Sequence, residues 1–206
     1  MSQETVARDF WTNQTSYPDY PFLKERRLYE IQYILKHLGN AKSLLDYGCG
    51  DGSALLLIKE LTYIEELIGI DISSYFIKIA REKLGPQVKL YTADFNVIKS
   101  GFETDITISL GILPYLFEDS IVSQYLSLIK SPKVILRTPC SVEHRLDINT
   151  FSKDLRAQYA AVYRSPAITL SLLGEYFTIS SIDRAYPDRI ESRYGTKHFF
   201  FVGDRK

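Results

Sequence analysis

Residues 44–52 read Leu-Leu-Asp-Tyr-Gly-Cys-Gly-Asp-Gly and are the most informative stretch of the chain. A short apolar run leads into three glycines, and residues 54–63 continue with a helical pattern. Glycine permits a sharp turn and a close approach of the backbone to a ligand, because it has no Cβ. The first turn of the following helix presents free backbone N–H groups. The stretch therefore predicts a strand, a ligand-binding turn and a helix.

Strand-like and helical patterns alternate on both sides of this turn. A helix is predicted before it, over residues 23–38. After it come predicted strands over 67–70, 88–92, 106–109 and 133–137, and predicted helices over 75–84 and 120–130. Strands that alternate with helices need crossover connections, so we expect a parallel sheet with helices on both faces.

The pattern changes after Arg137. A long polar loop over residues 137–147 is predicted to lead into a helix around residues 151–163. A second helix is predicted from Ser165-Pro166 to Gly174, because proline is favoured in the first turn of a helix. Two strand-like runs, 177–182 and 198–202, close the chain. The polar segment between them predicts an antiparallel pair at one edge of the sheet.

The composition is ordinary for a globular domain. The chain has 206 residues, of which 45% are hydrophobic, and this length suits one domain. Its 25 basic and 25 acidic side chains cancel, which gives no support for a nucleic-acid or anionic-membrane partner. No apolar run approaches a membrane span, and residues 1–10 lack the apolar core of a signal peptide, so we expect a cytoplasmic protein. Cys49 and Cys140 have no metal-ligand spacing, and no metal site is expected.

The segment from Asp46 to Gly52 resembles the Asp-x-Gly-x-Gly-x-Gly signature of class I S-adenosylmethionine-dependent methyltransferases. In the dinucleotide fingerprint Gly-x-Gly-x-x-Gly the third glycine comes one residue later, where this chain has Ser53. That spacing disfavours a nicotinamide-dependent oxidoreductase. Two acids strengthen the resemblance. Asp71 ends the second strand, where a carboxylate can accept hydrogen bonds from both ribose hydroxyls, and Asp94 follows the third strand.

This resemblance implies a fold, a cofactor and a set of binding residues. The fold is α/β, a single Rossmann-like three-layer sandwich with a mostly parallel seven-stranded sheet in the order 3-2-1-4-5-7-6, strand 7 being antiparallel. Residues 1-206 are one methyltransferase domain, with an N-terminal flap (1-21), a cofactor-binding half (22-137) and an acceptor-side half (138-206). The cofactor is S-adenosylmethionine, with Asp94 at the adenine amino group. The implied cofactor-binding residues are Asp46, Gly48, Cys49, Gly50, Gly52, Asp71, Ile72, Asp94, Phe95, Ser109 and Leu110, with Tyr17 and Tyr20 from an aromatic segment folded over the cofactor.

Candidates for catalysis and acceptor binding lie after the fifth strand. His144 is a candidate general base, oriented by Asp147 or Glu143, because a hydroxyl acceptor benefits from proton removal. Arg137 and Arg145 are candidates to bind a carboxylate or diphosphate of the acceptor. A surface histidine and ordinary salt bridges remain the alternative interpretation of these residues.

Tyr115, after the fourth strand, is a further candidate acceptor-binding residue. Pro114-Tyr115 partly resembles the Asn/Asp-Pro-Pro-Tyr motif of methyltransferases that act on amino groups of DNA or glutamine. Ile112 and Leu113 replace the amide or acid of that motif, which argues against such acceptors.

The sequence favours an enzyme that methylates a small polar metabolite. A hydroxyl of a sugar or nucleotide-sugar is the first expectation, because the late arginines and tyrosines suit a polar ring that bears phosphate. Methylation of protein or RNA is the second interpretation. A non-catalytic module that binds S-adenosylmethionine and regulates a partner is the third. The oligomeric state is left open.

Overall fold

The central sheet of the computed structural model follows the alternation of the sequence. The model describes residues 2–15, 22–95, 98, 101–152, 157–191 and 195–206. Its strands are β1 Ser43–Tyr47, β2 Glu66–Asp71, β3 Lys89–Thr92, β4 Ile106–Leu110, β5 Lys133–Cys140, β6 Arg145–Ser152, β7 Ala157–Arg164, β8 Phe177–Arg184 and β9 Lys197–Arg205. All but β6 and β7 form one sheet in the order β3-β2-β1-β4-β5-β9-β8, in which β9 is antiparallel to both neighbours. The predicted order, with its antiparallel last strand, is confirmed.

Helices cover both faces of this sheet. They are α1 Gln3–Asn13, α2 Leu23–His37, α3 Ser53–Leu61, α4 Ser74–Leu84, α5 Asp119–Leu128 and α6 Pro166–Gly174. On one face, α2, α3 and α4 bury Ile34, Leu55 and Ile77 against the strands. On the other face, α5 and α6 bury Tyr125 and Leu173. The predicted three-layer α/β sandwich is therefore confirmed.

β1 connects the two cores. Successive side chains of a strand point to opposite faces of the sheet, and Leu44 lies in one core while Leu45 lies in the other. Both side chains are fully buried. Burial on both faces explains why this strand is a continuous apolar run in the sequence, without polar alternation.

The segment after β5 corrects the sequence-based expectation. β5 continues to Cys140, and residues 145–152 and 157–164 form an antiparallel hairpin of β6 and β7, apart from the main sheet. The predicted polar loop over 137–147 and the predicted helix around 151–163 are therefore wrong. The helix after them, α6, begins at Pro166 with Ser165 as its N-cap, as predicted.

Burial of β7 on both faces explains the wrong helix prediction. Ala160 and Val162 pack against Val6 of α1, whereas Tyr159 and Tyr163 lie on the opposite face in a cluster with Phe10. A strand covered on both sides lacks the alternation of polar and apolar residues that marks a half-exposed strand. The packing partner, α1, is about 150 residues away in the sequence, so the local pattern carries no trace of it.

The predicted N-terminal flap is described only in part. Residues 3–13 form α1, which packs on the hairpin through Val6, Ala7 and Phe10. Tyr17 and Tyr20 lie outside the described residues. Within the described ranges, no helix combines the length and the apolar character that a bilayer span requires.

The turn after β1 ends on Gly52, the N-cap of α3. Its φ of +74° lies in the left-handed region, and a Cβ at this position would lie 2.7 Å from Leu84 Cδ1 and 3.1 Å from the Cβ of Ala80. The absence of a side chain thus lets the start of α3 approach the end of α4 closely. Gly39 also has a positive φ, of +56°, but a Cβ there would meet nothing within 4 Å.

Gly52→Ala should lower the free energy of unfolding by more than Gly39→Ala does. The Gly39 variant measures the left-handed penalty alone, about 1–2 kcal/mol. At Gly52 the overlap with Leu84 and Ala80 should add roughly 1–3 kcal/mol, because the core must shift to admit a methyl group. Urea unfolding of both variants measures the difference, and equal losses would contradict the close packing of α3 on α4.

Candidate active site

A cavity of about 1060 Å³ opens at the carboxyl ends of the parallel strands. This is the edge of an open α/β sheet at which ligands bind. Its walls come from the ends of β1, β2, β4 and β5, from α1 and α2, from β7 and from the chain around Tyr186 and His198. The volume is at the upper end of the range for small-molecule sites, so it has room for two ligands side by side.

Asp71 holds the glycine turn against the end of β2. Its Oδ2 accepts a hydrogen bond from the backbone N–H of Gly50 at 2.8 Å, and its Oδ1 accepts one from the N–H of Ser73 at 2.9 Å. Each carboxylate oxygen therefore has one backbone partner and a further lone pair available. Asp71 lines the cavity, and its predicted position at the site is compatible with hydrogen bonds to two neighbouring hydroxyls.

Asp46 is a buried carboxyl group that faces the cavity. Its side chain is 1% exposed, and its Oδ1 has no hydrogen-bond partner. Burial raises the pKa of Asp46 to about 8, because the charged form loses its hydration. A positively charged group in the cavity would supply the partner that this oxygen lacks.

α1 borders the cavity next to Asp94, a contact that the sequence did not indicate. Arg8 Nη2 of α1 lies 2.8 Å from Asp94 Oδ2. Phe95 lies beside them on the cavity wall and packs edge-on against Tyr125, with ring centroids 5.7 Å apart. Ile72 also lines this end. The acid and the apolar neighbours expected around an adenine are therefore together.

Some of the other predicted cofactor-binding residues line the cavity, whereas others shape the turn or lie in the core beneath it. Gly48, Cys49 and Leu110 line the cavity. Gly50 and Gly52 shape the turn at positive φ values of 54° and 74°. Ser109 is buried, and its hydroxyl accepts a hydrogen bond from Tyr125 at 2.7 Å. The Ser109 side chain thus belongs to the core beneath the cavity, and only its neighbour Leu110 reaches the wall.

Glu30 organises a second, charged wall. It is 3% exposed, accepts hydrogen bonds from Arg27 at 2.9 Å and from the Tyr186 hydroxyl, and forms an ion pair with Arg137 at 3.1 Å. Burial alone would raise the pKa of Glu30, but the Arg137 and Arg27 charges and the Tyr186 hydroxyl lower it overall. Arg137 also donates to the Leu110 carbonyl at 2.8 Å. Arg137 therefore lines the cavity as predicted, but it does so as one half of an ion pair.

His198 and Glu191 form a buried pair on the same side of the cavity. His198 Nδ1 lies 2.9 Å from Glu191 Oε2, and the His198 backbone N–H donates to the same oxygen at 3.1 Å. Burial lowers the pKa of His198 to about 4, and Arg137 and Arg26 act in the same direction, whereas Glu191 opposes them. The sequence does not indicate this pair, because only the register of β9 on β5 brings His198 opposite Pro139 at the cavity.

The cavity also has an aromatic wall. It consists of Trp11, Tyr115, Tyr159 and Tyr163. The Trp11 and Tyr115 rings meet edge-on at 5.2 Å, and the Tyr159 hydroxyl lies 3.1 Å from that of Tyr163 and 3.5 Å from that of Tyr115. Trp11 Nε1 is buried without a hydrogen-bond partner. Tyr115 was predicted here, whereas the other three reach the site through α1 and the hairpin.

Three residues predicted for catalysis or acceptor binding lie elsewhere. His144, Arg145 and Asp147 are exposed, and none belongs to the cavity wall that the described residues form. Asp147 pairs with Arg145 at 3.0 Å, and Arg145 also donates to the Phe117 carbonyl at 3.2 Å. The reason is the wrong loop prediction, because β6 begins at Arg145 and carries these side chains along the outside of the hairpin.

Part of the chain is similar to known methyltransferases. Residues 44–131 match a family model described as a methyltransferase domain. A Saccharomyces cerevisiae protein described as an S-adenosylmethionine-dependent methyltransferase, CRG1, is 40% identical over 67 residues. These residues are 32% of this chain and 20% of the yeast protein. The chain thus matches about a fifth of the length of this curated relative.

Two solved structures have a similar fold. Magnesium protoporphyrin IX methyltransferase from Synechocystis PCC 6803, with bound S-adenosylmethionine, has a TM-score of 0.66 and 18% identity over 100% of this chain and 98% of that chain. The 1,6-didemethyltoxoflavin-N1-methyltransferase from Burkholderia thailandensis, with 1,6-didemethyltoxoflavin and S-adenosylhomocysteine, has a TM-score of 0.68 and 15% identity, covering 88% and 78% of the two chains. Identities of this size establish the fold alone.

The sheet order and the ligand cavity at the carboxyl ends of β1, β2 and β4 define a Rossmann-like methyltransferase fold. The matched region contains the glycine turn as well as Asp71 and Asp94. Over residues 44–131 the chain is therefore similar to methyltransferase domains.

Asp46→Asn should stabilise the ligand-free protein at pH 7. Between the ordinary value of 3.8 and the raised pKa of about 8, the native carboxyl group holds a proton that the unfolded chain releases. Wild-type stability therefore falls as the pH rises through this interval, by up to about 1.4 kcal/mol per pH unit. Asparagine does not titrate, so the advantage of the variant in urea unfolding should grow from pH 4 to pH 8.

The neighbouring Asp51 provides the control for this measurement. Burial alone would raise the pKa of Asp51, but its hydrogen bonds to Lys83 and Ser53 lower it overall. Asp51→Asn should therefore destabilise the protein at pH 7, the opposite of Asp46→Asn. Parallel stability curves for wild type and Asp46→Asn between pH 4 and pH 8 would contradict the assignment of a protonated Asp46.

Proposed function

We propose that this chain binds S-adenosylmethionine along the ends of β1, β2 and β4 and transfers its methyl group to a small molecule in the same cavity. The observation that carries this proposal is that one cavity is lined by Asp46, Asp71 and Asp94 and also by the aromatic wall and His198. A methyltransferase needs room for donor and acceptor next to each other, because its catalytic effect depends on holding them in line.

Three acids suit the cofactor. The unpartnered oxygen of Asp46 suits a cationic sulfonium or ammonium group, Asp71 suits the ribose hydroxyls, and Asp94 beside Phe95 suits the adenine. Arg27, on the charged wall, can pair with a carboxylate. When bound, S-adenosylmethionine supplies a methyl group on a positively charged sulfur. The protein's part is to orient this group and to exclude water.

The acceptor that we propose is a hydroxyl of a sugar or nucleotide-sugar. Tyrosine rings can pack against the C–H face of a sugar ring, and their hydroxyls can bond its polar edge, as Tyr115, Tyr159 and Tyr163 are placed to do. Arg26 and Arg137 each bury an Nε without a partner, and these donors suit a phosphate or carboxylate. Arg145, invoked from the sequence for the same role, lies outside the cavity wall and does not support it.

The sequence also allows two other functions, and an experiment can distinguish them from the proposed one. A protein or RNA acceptor needs an open surface beside the methyl donor, and the aromatic wall built by α1 and the hairpin favours a small acceptor instead. A regulatory module would bind the cofactor without turnover. Transfer of tritiated methyl groups to a panel of UDP-, GDP- and dTDP-linked hexoses separates these functions. Cofactor binding without transfer to any small molecule would favour the regulatory module.

Asp71→Ala should weaken S-adenosylhomocysteine binding by roughly tenfold to a hundredfold, the equivalent of about 1.5–3 kcal/mol for a charged acceptor. The loss has two causes, since Asp71 would bind the ribose and also fixes the turn through Gly50. Isothermal calorimetry measures the affinity. Tight binding of NAD, with no binding of S-adenosylmethionine or S-adenosylhomocysteine, would refute the proposed cofactor.

Asp105 offers a matched control for Asp71. Its carboxylate also accepts two backbone hydrogen bonds, from Lys42 at 2.6 Å and Ser43 at 2.9 Å, but it lies before β4, at the opposite end of the sheet. Asp105→Ala should lower stability and leave cofactor affinity unchanged. An equal loss of affinity in both variants would show that Asp71 acts only through the stability of the fold.

A further inference from the structure

His198 lies on the charged wall of the cavity and has no role in the cofactor binding proposed above. We propose that His198, oriented by Glu191, accepts the proton of the acceptor hydroxyl during methyl transfer. This inference rests on the function proposed above and assigns a role to one side of the same cavity. A hydroxyl oxygen is a weak nucleophile until its proton is removed, so such an acceptor benefits from a base within hydrogen-bond reach.

Glu191 is held so that it can fix the tautomer of His198. Its side chain is 4% exposed and accepts hydrogen bonds from Arg184 at 3.0 Å and from the backbone and ring of His198. The Arg184 and His198 contacts keep the pKa of Glu191 below its usual value although burial alone would raise it. An ionised carboxylate beside Nδ1 requires a proton on that nitrogen, which leaves the lone pair on Nε2. Among the described residues, no donor is bonded to Nε2.

His198 lies near the expected position of the methyl donor. It faces Pro139 near the end of β5, and both residues line the cavity. β5 lies beside β4, whose last residue, Leu110, also lines the cavity. Neighbouring strands are about 4.8 Å apart, so roughly 10 Å separate β9 from β4. An acceptor bound over the end of β5 would therefore have Leu110 on one side and His198 on the other.

The proton and electron balance of the step is complete. The hydroxyl oxygen forms a bond to the methyl carbon as the carbon–sulfur bond breaks, and the hydroxyl proton passes to Nε2 of His198. The products are the methyl ether, S-adenosylhomocysteine and an imidazolium beside Glu191, which later returns its proton to solvent. The ionised groups that face His198 are Glu191, Arg137 of β5 and Arg26 and Glu30 of α2, with the Tyr186 hydroxyl also adjacent. Together with burial they leave the imidazole neutral at pH 7 and able to accept a proton.

The first test measures the tautomer of His198 by nuclear magnetic resonance. The full-length protein is labelled with ¹⁵N-histidine and saturated with S-adenosylhomocysteine. Because the chain has three histidines, His198→Gln assigns the signal by its loss. We expect a proton on Nδ1 and none on Nε2 at pH 7. A proton on Nε2, or a charged imidazole at this pH, would overturn the proposal.

Two carboxylates next to Arg184 provide a matched pair of variants. Glu191→Gln should convert part of His198 to the Nε2-protonated tautomer, because the fixed negative charge beside Nδ1 is lost. Asp188 also pairs with Arg184, but it is 79% exposed and is not bonded to His198. Asp188→Asn should leave the tautomer unchanged. The same response in both variants would mean that Glu191 does not orient the ring.

The second test compares kinetics with the acceptor that the hexose panel identifies. His198→Gln should lower kcat by roughly 10²–10⁴-fold and leave S-adenosylhomocysteine affinity unchanged. Glu191→Gln should lower kcat less and retain KM. The wild-type kcat should fall as the pH drops through the pKa of His198, since an imidazolium cannot accept a proton, and His198→Gln should lose this dependence.

Two kinetic outcomes and one binding outcome would overturn the proposal. A wild-type kcat in His198→Gln would exclude a base at this position. A large loss confined to His144→Gln would assign the role to the exposed histidine of the hairpin instead. A protein that binds no S-adenosylhomocysteine in calorimetry would refute the proposed function and this inference together, a result distinct from a kinetic defect in His198→Gln with intact binding.

Discussion

The carboxylate of Asp71 holds the turns after β1 and β2 next to each other through two hydrogen bonds. One oxygen accepts the N–H of Gly50, in the turn after β1, and the other accepts the N–H of Ser73, at the start of α4. Because β1 and β2 are parallel neighbours, these turns emerge at the same sheet edge, and a single side chain can fix both. The same carboxylate faces the cavity, so the group that positions the turn is also placed to bind a ligand.

Two buried carboxyl groups at this edge of the sheet differ in how well their oxygens are satisfied. Asp46 sits in the core with an unpartnered oxygen, which is unfavourable for the ligand-free protein. Glu30 is equally buried, but two arginines and a tyrosine satisfy it. The contrast indicates different roles. The Glu30 carboxylate is satisfied by side chains of the protein itself, whereas one oxygen of Asp46 has no partner among the described residues.

The acceptor half is assembled from segments far apart in the sequence. α1 brings Trp11 and the hairpin brings Tyr159, and both reach the cavity only because α1 packs along β7. The same helix also places Arg8 beside Asp94. α1 thus contributes both Arg8 and Trp11 to the cavity wall.

From the sequence alone, local signals predicted the alternation of strands and helices, the glycine turn and the acids after the second and third strands, and the resemblance to a methyltransferase family implied the strand order that the structure has. The sequence could not reveal the hairpin, since β7 is buried on both faces and its pattern resembles a helix. The sequence also selected His144 as a candidate base, whereas the structure has His144 on the surface and His198 at the cavity. Only the tertiary structure decides these positions, because β9 pairs with β5 across about 60 residues and carries His198 to the cavity, while β6 carries the chain after His144 to the surface.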